Sequence, residues 1–256
     1  GEEAMEDAII IGRIDAAQVA LYAFWIFFAG LVIYLLRESM REGYPTISEV
    51  DGKPISKAFI FPRPEPKTFL RADGTTNTVP EMPDEYELQA VPTNSSTGAP
   101  LTPTGDPLMD GVGPAAWVKR PEVPDRDHHG EPRIRPLRFD NAFKVADWDA
   151  DPRGYDVVCS DGVVVGKVAD LWVDRAEQMI RYMQVETSAG LKLVPFTLSA
   201  VMSNRVQVRS VNAEQFLRAP VQASENEITL REEDQVMAYF TGGTLYAFTS
   251  RTEPLL

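Results

Sequence analysis

Cysteine is almost missing from this 256-residue chain: Cys159 stands alone. That excludes an intrachain disulfide framework and any zinc site built from several cysteines. Histidine is nearly as scarce, with His128 and His129 side by side and no others. Basic charge is also short, with 25 Lys+Arg against 38 Asp+Glu and a net charge of -13. Nucleic-acid binding draws most of its affinity from neutralised phosphates, so this balance argues against a nucleic-acid partner. No nucleophile elbow, Walker loop or dinucleotide fingerprint is present. Proline, by contrast, is plentiful at 20 residues, a sign of long irregular stretches.

One apolar run stands out. Ala16 to Leu36 is 21 residues without a charge, long enough as a helix to span roughly 32 Å of hydrocarbon. A cleaved signal peptide would begin with basic residues, whereas Glu2, Glu3, Glu6 and Asp7 precede this run. The expectation is a transmembrane helix over 16–36, with a short segment 1–15 before it. Arg13 is the sole base on the N-terminal side, while Arg37, Arg41 and Lys53 follow the run. The positive-inside rule therefore puts the C-terminal bulk in the cytoplasm and the N-terminus in the periplasm. That bulk holds 24 bases and 33 acids, so an anionic leaflet repels it. Arg37 and Arg41 remain as local contacts for lipid headgroups. Trp25 falls near mid-depth, among Tyr22, Phe24, Phe27 and Phe28. Either these rings face lipid in a tilted helix, or they pack on other membrane helices beside Ala16, Ala20 and Ala23.

Residues 37–132 read as an extended connector punctuated by proline, which fixes φ and removes a donor. Such a stretch is too long for a structureless loop in a compact domain. Tyr44, Phe59, Phe61, Phe69 and Trp117 favour a chain ordered by contact with partner proteins over a disordered linker. A short hairpin is expected over 69–79, turning at Asp73-Gly74.

Residues 133–256 read as a mainly-β domain, a small antiparallel barrel followed by a C-terminal helix. Strands are expected at Val157–Cys159, Val163–Asp174, Ile180–Glu186, Leu191–Phe196 and Arg205–Arg209. Ser160-Asp161-Gly162 reads as a tight turn and Gly166 as a bulge or close approach. Thr229-Leu230-Arg231-Glu232 is a capping box, with a helix continuing over 233–240 and Gly242-Gly243 as its stop. Cys159, in a strand and without an activating partner, reads as core.

Two groups of residues could carry chemistry. Asp127, His128, His129 and Glu131 offer two imidazoles and two carboxylates. Adjacent side chains of an extended strand point to opposite faces, so the pair chelates a metal poorly unless Gly130 turns the chain. The other readings are a polar surface loop and a proton-collecting cluster with imidazoles near neutral pKa. The second group is Asp174, Glu177 and Arg181, around a hairpin. It is either a solvated salt-bridged turn or a pair of proton carriers whose ionisation Arg181 biases.

Six motifs in this order resemble the H subunit of the purple bacterial photosynthetic reaction centre. They are Arg41-Glu42-Gly43-Tyr44-Pro45 after the helix, Pro66-Lys67-Thr68-Phe69, Pro103-Thr104-Gly105-Asp106-Pro107, and Asp110-Gly111-Val112-Gly113-Pro114-Ala115-Ala116-Trp117. Asp170-Leu171-Trp172-Val173-Asp174, and Glu232-Glu233-Asp234 with Gly242-Gly243, complete the series. The strand-rich part resembles the PRC-barrel domain, which occurs on other proteins too.

The resemblance implies a structural and proton-conducting subunit, not an enzyme, that binds no cofactor by itself. Its partners would be the L and M subunits, which hold bacteriochlorophyll, bacteriopheophytin, quinones and a non-haem iron in a bacterial inner membrane. Light-harvesting antenna and a cytochrome subunit are open as further partners. The implied role is to cap the cytoplasmic face, stabilise the quinone region and help deliver protons to the reduced secondary quinone. By the same resemblance Glu177 matches the family's glutamate nearest that quinone, and Asp174 and Arg181 its neighbours. The family's His-Gly-His entry cluster aligns onto His129-Gly130-Glu131, with Asp127 at the cluster's aspartate and His128 one place early. The competing classes are a membrane-tethered adaptor that recruits a soluble partner through the barrel, and a membrane-anchored metalloenzyme using the histidine cluster.

Overall fold

A computed structural model of the chain describes residues 9–11, 14–41, 65–72, 74–80, 88–96 and 99–252. The acidic start of segment 1–15, Lys53, the connector aromatics Tyr44, Phe59 and Phe61, and the turn residue Asp73 lie outside the described residues. The chain forms two units, residues 1–86 and 87–256.

In the first unit, strands β1 (Ile9–Ile11) and β2 (Ile14–Asp15) pair antiparallel ahead of helix α1 (Ala16–Ser39). Asp15 caps α1, its carboxylate accepting from the Gln18 amide at 2.7 Å. The helix is long and apolar enough to cross a membrane, and none of its side chains is buried within the chain. It runs past Leu36 to Ser39, where the Ser39 hydroxyl donates to the Leu36 carbonyl and Glu38 pairs with Arg41 at 2.9 Å. Phe24 stacks on Phe28 with ring centroids 5.9 Å apart, and Trp25 meets both rings edge-on at 5.4 and 6.0 Å. The expected hairpin is present as β3 (Lys67–Leu70) and β4 (Thr76–Val79), with Gly74 in the left-handed region at φ 81°.

The second unit opens with a small hairpin of β5 (Ala90–Pro92) and β6 (Leu101–Pro103). Its main sheet contains β7 (Ile134–Pro136), β8 (Asp156–Val158), β9 (Val164–Asp174), β10 (Met179–Thr187), β11 (Gly190–Pro195), β12 (Ser199–Val201) and β13 (Arg205–Val208). The strand order is β11-β10-β9-β8-β13-β12, and β7 pairs with the far end of β9. The barrel expected to be antiparallel contains one parallel pairing, β8 with β13. Turn signals report only sequential neighbours, so a pairing across some fifty residues leaves no local mark. Short elements of this unit also escape the sequence reading: the β5–β6 hairpin, β7, β12, and helix α2 (Ala213–Arg218), which starts at an Asn212/Gln215 capping box.

Val157, Cys159, Leu171, Met183, Val185, Val194, Val206 and Phe216 are buried at the centre. Gly166 is the close approach expected of it: a Cβ there would strike the Glu186 carbonyl oxygen. Helix α3 (Leu230–Tyr246) starts at the expected capping box on Thr229 and Glu232. It does not stop at Gly242-Gly243. Both glycines lie inside it, because a Cβ at Gly242 would sit 2.5 Å from the Ala115 Cβ and 2.9 Å from Leu108 Cδ2. The glycines let the helix press on the Gly113–Ala115 turn and on Ser210-Val211, which is worth more than their poor helix propensity costs.

Candidate functional site

Successive residues of β9 alternate faces, so Asp170, Trp172 and Asp174 share one side, with Gln184 and Tyr182 of β10 opposite Asp170 and Trp172. Asp174 closes β9 and is completely buried. Its Oδ1 accepts from the amides of Ala176 and Glu177 at 3.0 Å each, forming the turn into β10. Gln178, at φ 55°, completes that turn.

Two arginines converge here. Arg133, just before β7, places Nε 2.9 Å from Asp174 Oδ1 and Nη2 2.9 Å from Oδ2. The same guanidinium donates to Glu177 Oε1 at 2.7 Å and to Asp125 Oδ2 at 3.2 Å. Arg181 contacts Asp174 Oδ2 at 3.1 Å and Glu177 Oε2 at 2.6 Å. It can do so because the β9–β10 register slips between Ile180 and Tyr182, making Arg181 the extra residue of a bulge that turns its side chain to the site. Burial works against charge on Asp174. The Arg133 bonds, the Glu177 amide and Arg181 together outweigh it and hold the carboxyl below the usual aspartate range.

The second group lies on the loop before β7. Asp127 Oδ1 accepts from the amides of His129 at 2.9 Å and Glu131 at 3.1 Å, and Gly130 takes φ 83°. That turn brings the His128 and His129 rings to 3.8 Å between centroids on an exposed surface. Burial pushes the Asp127 carboxyl up, but the Glu131 and His129 amides and the charges of Arg175 and His129 leave it lowered. Arg175 Nη1 reaches Asp127 Oδ2 at 3.1 Å, and its Nε lies 3.0 Å from Asp140 Oδ2. Glu131 turns to Arg135 at 3.7 Å. Among the described residues no three metal-type side chains come together, so the paired rings form no chelating set with the nearby acids.

Two clefts lie beside these groups. One, of about 520 Å³, is lined by Asp127, His128, His129, Arg175, Asp125 and Arg133. The other, of about 250 Å³, carries Asp125, Arg133, Asp174, Arg181, Tyr182 and Glu233 among its walls. Asp125 and Arg133 belong to both. The structure thus gathers Asp174, Glu177 and Arg181 into one cluster and Asp127, His128 and His129 into a second, with Glu131 on the histidine loop but turned to Arg135. Nothing in the sequence marks Arg133, Asp125, Arg175, Asp140 or Glu233 as site residues. Arg133 is 41 residues from Asp174, and nothing local to either marks the pair. Of the expected lipid contacts, Arg37 is exposed, while Arg41 is held by Glu38 and by the Glu65 carbonyl at 2.6 Å.

Comparison with known families places the chain. A model of the photosynthetic reaction centre H-chain N-terminal region matches residues 8–139, and a PRC-barrel domain model matches residues 149–215. The first covers more than half of the chain and contains the candidate span and the histidine loop. The second contains the β9–β10 hairpin with Asp174, Glu177 and Arg181. The chain belongs to the photosynthetic reaction centre H-chain family and is a membrane-anchored subunit of a reaction centre.

Proposed function

We propose that this subunit caps the cytoplasmic face of the L and M subunits, stabilises the region of their quinones and carries protons from the cytoplasm towards the reduced secondary quinone. The observation that supports it most is the pair of clefts with Asp125 and Arg133 as shared walls, one lined by the exposed imidazoles and the other by the buried Asp174. A quinone that gains two electrons in a dry site must gain protons, because buried negative charge is costly without compensation. His128 and His129 present exposed imidazole rings at the larger cleft, with Asp127 anchoring their loop and Glu131 two residues on. Water in the clefts bridges the next steps. Glu177, half exposed and hydrogen-bonded to both arginines, is the carrier on this path. Asp174 stays ionised and, with Arg181, sets the field in which Glu177 works.

In this reading residues 1–15 are periplasmic, 16–36 span the membrane, 37–132 lie on the partner subunits and 133–256 form the cytoplasmic domain. Arg37, and Arg41 through what Glu38 leaves free, meet lipid headgroups. The pigments, quinones and non-haem iron belong to the partner subunits, and this chain acts as a structural and proton-conducting part, not as an enzyme. The test is Glu177→Gln in the intact complex, read as the rate of the second electron transfer to the secondary quinone. A slower rate supports the reading, and an unchanged rate removes Glu177 from the path.

A further inference from the structure

The end of β13 meets the last turn of α3 around a further pocket, of about 450 Å³. Its chemistry is the opposite of the two clefts. No carboxylate and no imidazole lines it, and Thr197 is the one residue it shares with the smaller cleft. Two arginines do line it, Arg209 and Arg251, which in a chain of net charge -13 is a local reversal of sign.

The main chain fixes one of these arginines and leaves the other free. The turn Thr249–Arg251 after α3 folds Arg251 back. Its Nη1 donates to the carbonyls of Gly243 at 3.2 Å and Ser210 at 3.4 Å, and its Nη2 to that of Arg209 at 3.1 Å. The guanidinium also lies 5.0 Å from the centre of the Phe248 ring. These contacts close the last turn of α3, but neutral carbonyls leave the positive charge without a counter-charge. Arg209 is exposed, and among the described residues its side chain has no hydrogen bond or ion pair.

A buried hydroxyl points to what the pocket takes. Ser210 is 2% exposed, lines the pocket, and among the described residues its hydroxyl has no partner. Most other donors around it are engaged. Ser199 donates to the Phe196 carbonyl at 2.8 Å and Thr244 to the Thr241 carbonyl at 2.6 Å. The Gln207 amide donates to the carbonyls of Val158 and Cys159 at 3.2 and 3.0 Å. A buried donor without an acceptor is costly, so Ser210 calls for an acceptor seated in the pocket. Two arginines beside that donor call for an anion, and their planar forks match the oxygens of a phosphate group. Two positive charges are balanced by a phosphomonoester, which carries close to two negative charges at neutral pH, and not by a single carboxylate. The volume leaves room for an organic group beyond the phosphate.

We propose that the pocket between β13 and the end of α3 binds a dianionic phosphomonoester, held by Arg209, Arg251 and the Ser210 hydroxyl. This site is independent of the proton-delivery reading.

Calorimetric titration of the intact complex with glycerol phosphate, a soluble phosphomonoester, tests it. One molecule per chain should bind at about pH 7.5, and Arg209→Gln should weaken that binding by about tenfold. Arg209 has no partner within the chain, so this substitution leaves the fold unchanged. No saturable binding in the wild type, or an affinity in Arg209→Gln within about twofold of it, overturns the proposal. Should that variant fail to assemble, Ser210→Ala decides by the same criterion. At about pH 5.5 the phosphate regains a proton while no group in the pocket walls titrates, so affinity should fall by about fourfold. Equal affinities at the two values overturn the dianion. The source of the phosphate is read by repeating the titration in nanodiscs of phosphatidic acid and of phosphatidylglycerol. Binding of glycerol phosphate blocked only by phosphatidic acid supports the site as one for a lipid headgroup. Equal binding in both supports it as one for a soluble ligand.

Discussion

Arg133 is the residue on which the inner cluster turns, and replacing it has a calculable cost. Its guanidinium makes two contacts of 2.9 Å to Asp174, one of 2.7 Å to Glu177 and one of 3.2 Å to Asp125. Arg133→Met keeps the apolar stem and removes the charge. Breaking a buried ion pair while leaving one partner behind costs roughly 3–5 kcal/mol. Here Arg181 still holds Asp174 and the Arg133 side chain is 25% exposed, so a loss of about 2–3 kcal/mol is expected. For a unit of this size that lowers Tm by about 5–10 °C. Near-ultraviolet circular dichroism of the full chain in detergent follows it, because Trp172 is buried opposite Tyr182 on the same sheet.

The pH dependence sharpens this test. The Asp174 carboxyl is lowered in the folded chain, so its contribution is complete above the unfolded aspartate value of about 3.9 and is lost as pH falls through the lower folded value. The gap between wild type and Arg133→Met should hold from about pH 8 to 5 and narrow below about pH 4. A gap under about 0.5 kcal/mol, or one that persists undiminished at about pH 3, would refute the reasoning.

Two further outcomes are expected. Gly243→Ala should destabilise by about 1–3 kcal/mol in the same melt despite the better helix former, because its Cβ would strike Val211 and lie 2.5 Å from the Ser210 carbonyl oxygen; a stabilised variant would show that α3 can shift. Cys159 should resist alkylation at about pH 8 in the folded chain and react on unfolding, since burial above all, and then the Asp161 charge, raise its thiol to about 12; rapid labelling of the native protein would show that the strand opens.

The elements legible in the sequence are those with local causes. The span follows from an uninterrupted apolar run, the β3–β4 and β9–β10 hairpins from turn residues between strand-like runs, and the start of α3 from a capping box. What was not legible depends on distant contacts. Gly242-Gly243 reads as a stop until Ala115, Leu108 and Val211 are known to press on the helix. The β8–β13 pair is parallel and remote in sequence. Asp174, Glu177 and Arg181 could be grouped because one hairpin carries them. Their link to the histidine loop runs through Asp125, Arg133 and Arg175, whose partners lie 8 to 48 residues away. Helix α2 was legible in principle, since Asn212 and Gln215 have the spacing of a capping box.

Proton delivery through this chain is tested most directly by the rate of the second electron transfer to the secondary quinone, measured by flash spectroscopy in complexes carrying Glu177 or Glu177→Gln. The account predicts a slowing of about tenfold, since a positioned carrier contributes more than this and cleft water replaces it in part. Equal rates in the two complexes across neutral pH would contradict it.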